Sequence, residues 1–77
     1  MPKKAKDMSL VKAVAKRLQE LRKGSGMTLK DIAFEADMEL TQVHRILHGS
    51  HDPQLTNVAK IAQALGTNMS DLFKGLH

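Results

Sequence analysis

The sequence predicts an all-α fold of five helices packed into one compact domain. Apolar residues recur throughout at helical spacing, with no alternating strand pattern and no β-branched run. The breaks between these segments carry helix-ending glycines, Gly24, Gly26, Gly49 and Gly66, and helix-starting residues, Ser9, Thr28 and Asn68. Finally, 77 residues without a cysteine leave one small core and neither a disulfide nor a thiolate metal site to support it. Helix packing has to supply the stability.

Taken in order, residues 1–8 read as a flexible basic N-terminal arm carrying Lys3, Lys4 and Lys6, and residues 9–77 as the folded domain. Ser9 is placed to cap a first helix with Leu10, Val11, Val14, Leu18 and Leu21 on one face and Lys12, Lys16 and Lys23 opposite. That helix stops near Gly24-Ser25-Gly26. Thr28 with Asp31 resembles a capping box, and Leu29, Ile32, Ala33 and Ala36 give the second helix its inward face. After Asp37 and Met38, a third helix runs over 40–48 with Val43, Ile46 and Leu47 inward and Gly49 as its stop. Asp52-Pro53 opens a fourth, with proline at the first helical position and Leu55, Val58, Ile61, Ala62 and Leu65 as its buried stripe. Asn68 with Asp71 caps a fifth, whose Met69, Leu72, Phe73 and Leu76 exceed what a terminal turn of so small a domain needs.

Charge is unevenly distributed. Residues 1–23 carry eight Lys/Arg against two acids, giving +6, and residues 24–77 carry four against six, giving −2, which sums to the net +4. A lopsided basic surface suits a polyanionic partner. No apolar run approaches the roughly 20 residues that cross a bilayer, and the first residues lack the apolar segment of a signal peptide, so a soluble cytoplasmic protein without membrane contact is expected.

Two short helices joined by three or four residues must cross steeply, as in a helix-turn-helix, here about residues 28–48. Ala33 is small where the second helix approaches the third, and Met38 can plug the core from the turn. On the third helix Thr41, His44, Arg45 and His48 lie opposite Val43 and Ile46, with Leu40 and Gln42 on the flanks.

At this point the chain resembles the phage repressor and Cro-like helix-turn-helix family, also called the xenobiotic-response-element family. Leu18-Gln19-Glu20-Leu21-Arg22 looks like its first helix, Met27-Thr28-Leu29-Lys30-Asp31-Ile32-Ala33 its second, and Val43-His44-Arg45-Ile46-Leu47-His48-Gly49 its third. Pro53, Leu55, Lys60-Ile61-Ala62-Gln63-Ala64-Leu65-Gly66 and Asp71-Leu72-Phe73 look like its closing helices. The resemblance implies a lambda-repressor-like domain whose third helix, 40–48, enters the major groove of double-stranded DNA. It implies a sequence-specific transcriptional regulator, a repressor that reads a palindromic operator as a homodimer on half-sites about 34 Å apart.

Roles within that frame follow from chemistry. Arg45 can pair bidentately with guanine, Leu40 and Thr41 can pack on a thymine methyl, and His44 can donate to or accept from a base edge. Thr28, Gln42, His48 and Ser50 are placed for phosphate, and the Leu29 backbone amide, at a helix N-terminus, can donate to one. Lys3, Lys4 and Lys6 could follow the backbone or a minor groove. Departures from the family pattern are Leu29 for its usual Gln, Asp37 for Gly in the turn, Glu39 for the Ser cap, and Leu47-His48 for Glu-Asn before the glycine.

Other readings are weighed against this one. His44, His48 and His51 are spaced to share a metal, but only Asp52 stands near as a further ligand, so no metal and no cofactor are expected. Five small helices leave little room for a catalytic pocket, and the chain is expected not to be an enzyme. The fold could instead serve as a protein-interaction module, such as an antitoxin that blocks a toxin partner, through an outward Phe34. Phe73 and Leu76 are assigned to the dimer interface. The controller proteins of restriction-modification systems, which Ile32-Ala33-Phe34 resembles, form a further alternative. With no sensor domain after residue 77, regulation is expected to act through concentration, a partner or proteolysis.

Overall fold

The computed structural model describes residues 8–74 and 76. They form α1 (Met8–Ser25), α2 (Leu29–Ala36), α3 (Leu40–His48), α4 (Leu55–Ala64) and α5 (Met69–Lys74), with no strand among the described residues. Met8, assigned to the arm on sequence, is the first residue of α1. The rest of that arm, with Lys3, Lys4 and Lys6, lies outside the described residues.

Each helix gives the core one large fully buried side chain, Leu18, Ile32, Val43, Ile61 and Leu72, all at 0% exposure, with Ala62 of α4 equally buried beside them. Burying a side chain of this size contributes about 1.5–3 kcal/mol, so each helix is anchored chiefly by one residue and its immediate neighbours. α1 packs on α3 and α5, α2 on α3 and α4, and α4 on α5. The recognition-helix candidate α3 is thus gripped from behind by α1 and α2.

Local chemistry sets the helix ends. The Thr28 hydroxyl accepts from the Asp31 amide at 3.1 Å while the Asp31 carboxylate accepts from the Thr28 amide at 2.9 Å, the reciprocal capping box expected at the start of α2. Asp37 takes the left-handed conformation at φ 56°, and the Met38 amide donates back to the Ala33 carbonyl at 2.9 Å. This bond tucks Met38, half-buried, against the core and turns the chain into α3. The Asp71 amide donates to the Asn68 side-chain oxygen at 2.8 Å, capping α5.

Four expectations differ from the structure. α1 already includes Ser9 in its first turn, so this serine is not its cap, and Leu10 is half exposed. α4 starts at Leu55 behind the N-cap Gln54, two residues later than a proline-led helix would. Leu55 is consequently the first helical residue, and because helical side chains lean toward the N-terminus it projects past the end of the core. It is 66% exposed instead of buried.

Candidate nucleic-acid interface

The inward face of α3 is Val43, Ile46 and Leu47, and its other six residues are exposed. Leu40, Thr41, Gln42, His44, Arg45 and His48 therefore share the free side of one helix. The imidazoles of His44 and His48, one turn apart, stack with centroids 5.9 Å apart and planes 10° from parallel. Arg45 makes no ion pair among the described residues, which leaves its planar fork of donors available.

Between the N-termini of α2 and α3 lies an open hollow of about 500 Å³ lined by Thr28, Leu29, Lys30, Leu40, Thr41 and His44. Five of these are residues that the sequence put forward, so the fold brings the two helix starts together around one concavity. The Thr28 hydroxyl oxygen is already engaged in the capping box, which leaves its O–H as the donor for an outside acceptor. The amide of Leu29, first in α2, has no intrahelical partner and is free to donate to an anion. Gln42 and Ser50 are exposed but lie outside this hollow.

The two ends of α3 differ in charge. Asp37 and Glu39 stand at its start, and the Glu39 side chain makes no capping hydrogen bond although its backbone occupies the cap position. Arg45 and His48 occupy its last turn.

Sequence reasoning missed the contribution of α1. The Gln19 side-chain amide donates to the Leu47 carbonyl, and Arg22 Nη1 donates to the Met27 carbonyl at 3.3 Å, so two α1 side chains brace the last turn of α3 and the loop before α2. Their spacing of three residues puts both on one helix face, but the sequence does not say what that face meets.

Phe73 lies elsewhere, 44% exposed, in a groove of about 120 Å³ with Leu10, Pro53 and Leu55 along its walls. Leu76 is half-buried and packs against the protein's own core.

A helix-turn-helix family model matches residues 18–72, from the middle of α1 into α5. The chain belongs to the helix-turn-helix family. Within it, the chain is 32% identical over 63 residues to the HTH-type transcriptional regulator DdrOP3 of Deinococcus deserti, covering 82% of this chain and 49% of that one. It is 38% identical over 48 residues to the control protein C.BamHI of Bacillus amyloliquefaciens, covering 62% of this chain and 59% of the relative. The chain spans about half the length of these relatives. Among solved structures it resembles the restriction-modification controller protein C.AhdI from Aeromonas hydrophila, with a TM-score of 0.77 at 28% identity over 84% of this chain and 98% of that one.

Proposed function

We propose that this helix-turn-helix protein is a sequence-specific, DNA-binding transcriptional regulator, a cytoplasmic repressor that reads a palindromic operator as a homodimer. The observation that carries the reading is the division of α3. Its apolar residues are spent on the core, and Thr41, His44, Arg45 and His48 are left outward on a helix held from behind by two others. In this reading Arg45 pairs with guanine, Leu40, Thr41 and His44 meet base edges or thymine methyls, and Thr28, Leu29, Gln42, His48 and Ser50 meet phosphates. Such a protein acts by binding, not by catalysis.

The dimer contact is assigned to the groove in which Leu10, Leu55 and Phe73 converge, three of the large apolar side chains most exposed to water. A second copy seated there would bury them symmetrically and present two α3 helices to successive major grooves. Leu76 contributes from its partly buried position. The likeness to C.BamHI and C.AhdI favours a second form of the same reading, a controller protein of a restriction-modification system.

The deciding experiment is selection of bound sequences from a random duplex library at physiological salt, with Arg45→Ala in parallel. The expected result is an inverted-repeat motif with half-sites about one DNA turn apart, relaxed at one position in the variant. Absence of any enriched motif would leave only phosphate attraction and move the protein-interaction reading to the front.

A further inference from the structure

The hollow between the starts of α2 and α3 is lined chiefly by apolar side-chain atoms. Leu29 and Leu40 are each the first residue of their helix, and because helical side chains lean toward the N-terminus, both lean into the same concavity. Leu29 is half-buried and rests against the core, whereas Leu40 is 44% exposed. Lys30 carries the one permanent charge of the lining, and no carboxylate joins it among the described residues. Two leucines held open to water gain free energy when an apolar group covers them. The walls stand ready for such a group. The reciprocal capping bonds of Thr28 and Asp31 hold the start of α2, and the bond from the Met38 amide to the Ala33 carbonyl sets the turn that brings α3 beside it.

Thr41 and His44 also line the hollow and belong to the outward side of α3, so the apolar wall is continuous with the proposed base-reading face. A phosphate oxyanion would lose hydration against leucine and gain no partner there. Among the groups that the four base pairs present in the major groove, the apolar one is the C5-methyl of thymine. We propose that the Leu29 side chain reads sequence, forming with Leu40 a socket for the C5-methyl of one thymine in each half-site. The inference rests on α3 being the DNA-reading helix, and it carries base recognition beyond α3 onto α2. The Leu29 amide has no intrahelical partner and stays free for a phosphate, so the backbone and the side chain of this residue make separate contacts.

The test removes the methyl alone. Each thymine of the selected operator, on either strand, is replaced in turn by deoxyuridine. One thymine per half-site is expected to lose about 4-fold in affinity per half-site, the worth of one buried methyl. With a C·G pair at that position, 5-methylcytosine is expected to bind tighter than cytosine by a similar factor. Leu29→Gln, of similar length but polar, should erase the difference between thymine and uracil at that position, and Leu29→Met, still apolar and of similar volume, should keep it. Circular dichroism establishes that both variants fold. A motif in which no thymine is sensitive to uracil, no gain from 5-methylcytosine, or a thymine preference that persists in folded Leu29→Gln would overturn the inference and leave the proposed function standing. A wild type that selects no motif would defeat both.

A second measurement needs no variant. In the complex of the wild type with its operator, nuclear Overhauser contacts are expected between the Leu29 δ-methyls and the methyl of the uracil-sensitive thymine. Contacts from Leu40 without any from Leu29 would assign that thymine to α3 alone and overturn the role of Leu29.

Discussion

Gly49 joins the stability of the domain to the position of α3, and its replacement by alanine separates two physical effects. The residue ends α3 at φ 73°, where an L side chain costs about 1–2 kcal/mol. A Cβ built there would lie 3.1 Å from the Ala15 Cβ and 3.6 Å from the Lys12 Cα, against the roughly 3.5–4.0 Å of a comfortable carbon contact. Ala15 is buried on α1 and the other neighbour is backbone, so neither yields by rotating a side chain. Forcing extra volume into such a contact costs about 1–3 kcal/mol, which brings Gly49→Ala to roughly 2–5 kcal/mol. Gly66 is the control, because its φ is 85° and a Cβ there meets nothing within 4 Å. Gly66→Ala should therefore show the backbone cost alone. In a domain of this size 1 kcal/mol moves Tm by about 4–8 °C, so thermal unfolding should place Gly49→Ala at least about 4 °C below Gly66→Ala. Equal destabilisation of the two variants would refute the close approach of α1 to the end of α3.

Three more outcomes are expected. Glu39→Ser gives α3 a side-chain cap worth about 1 kcal/mol and removes a carboxylate from the helix start, so unfolding midpoints should rise and affinity for operator and scrambled DNA should tighten together. Thr28→Ala breaks the capping box of α2 and should cost about 1 kcal/mol in urea denaturation, and an unaltered midpoint would mean that the box contributes nothing. Phe73→Glu places a charge in the apolar groove formed with Leu10 and Leu55. Sedimentation equilibrium should then show monomer at concentrations where the proposed wild-type dimer forms, with the thermal midpoint of the isolated fold little changed.

Much of the fold was legible because its signals are local. Thr28 with Asp31, Asn68 with Asp71, and Gly49 each act within a few residues, and each ends or starts a helix where sequence placed it. The inward face of α3 was legible for a related reason, since Val43, Ile46 and Leu47 fall on one side by the geometry of the helix. Leu55 was misplaced because its spacing from Val58 and Ile61 fits a buried stripe, and only the late start of α4 turns it outward. The part played by Gln19 and Arg22 was illegible for a different reason. Gln19 meets the Leu47 carbonyl across 28 residues of chain, and no periodicity in α1 encodes which helix its polar side will touch.

The electrostatics of α3 bear on how the helix would sit in a groove under the proposed function. Asp37 and Glu39 precede it, and neither carboxylate is neutralised by an ion pair among the described residues. Its last turn carries Arg45 and His48, and Arg22 of α1 lines a small hollow with His48 beside it. Since attraction to phosphate dominates the affinity of DNA-binding domains, a helix charged in this way gains most by bringing its C-terminal end and the adjoining side of α1 toward the backbone. Its acidic start is then tipped away from the phosphates, whose charge it would oppose. Under the proposed function, Glu39 in place of a hydroxyl cap and Arg22 without an ion pair among the described residues both favour that tilt. Removing the two charges singly should therefore shift affinity in opposite directions, up for Glu39→Ser and down for Arg22→Gln, and two changes of the same sign would count against the tilt.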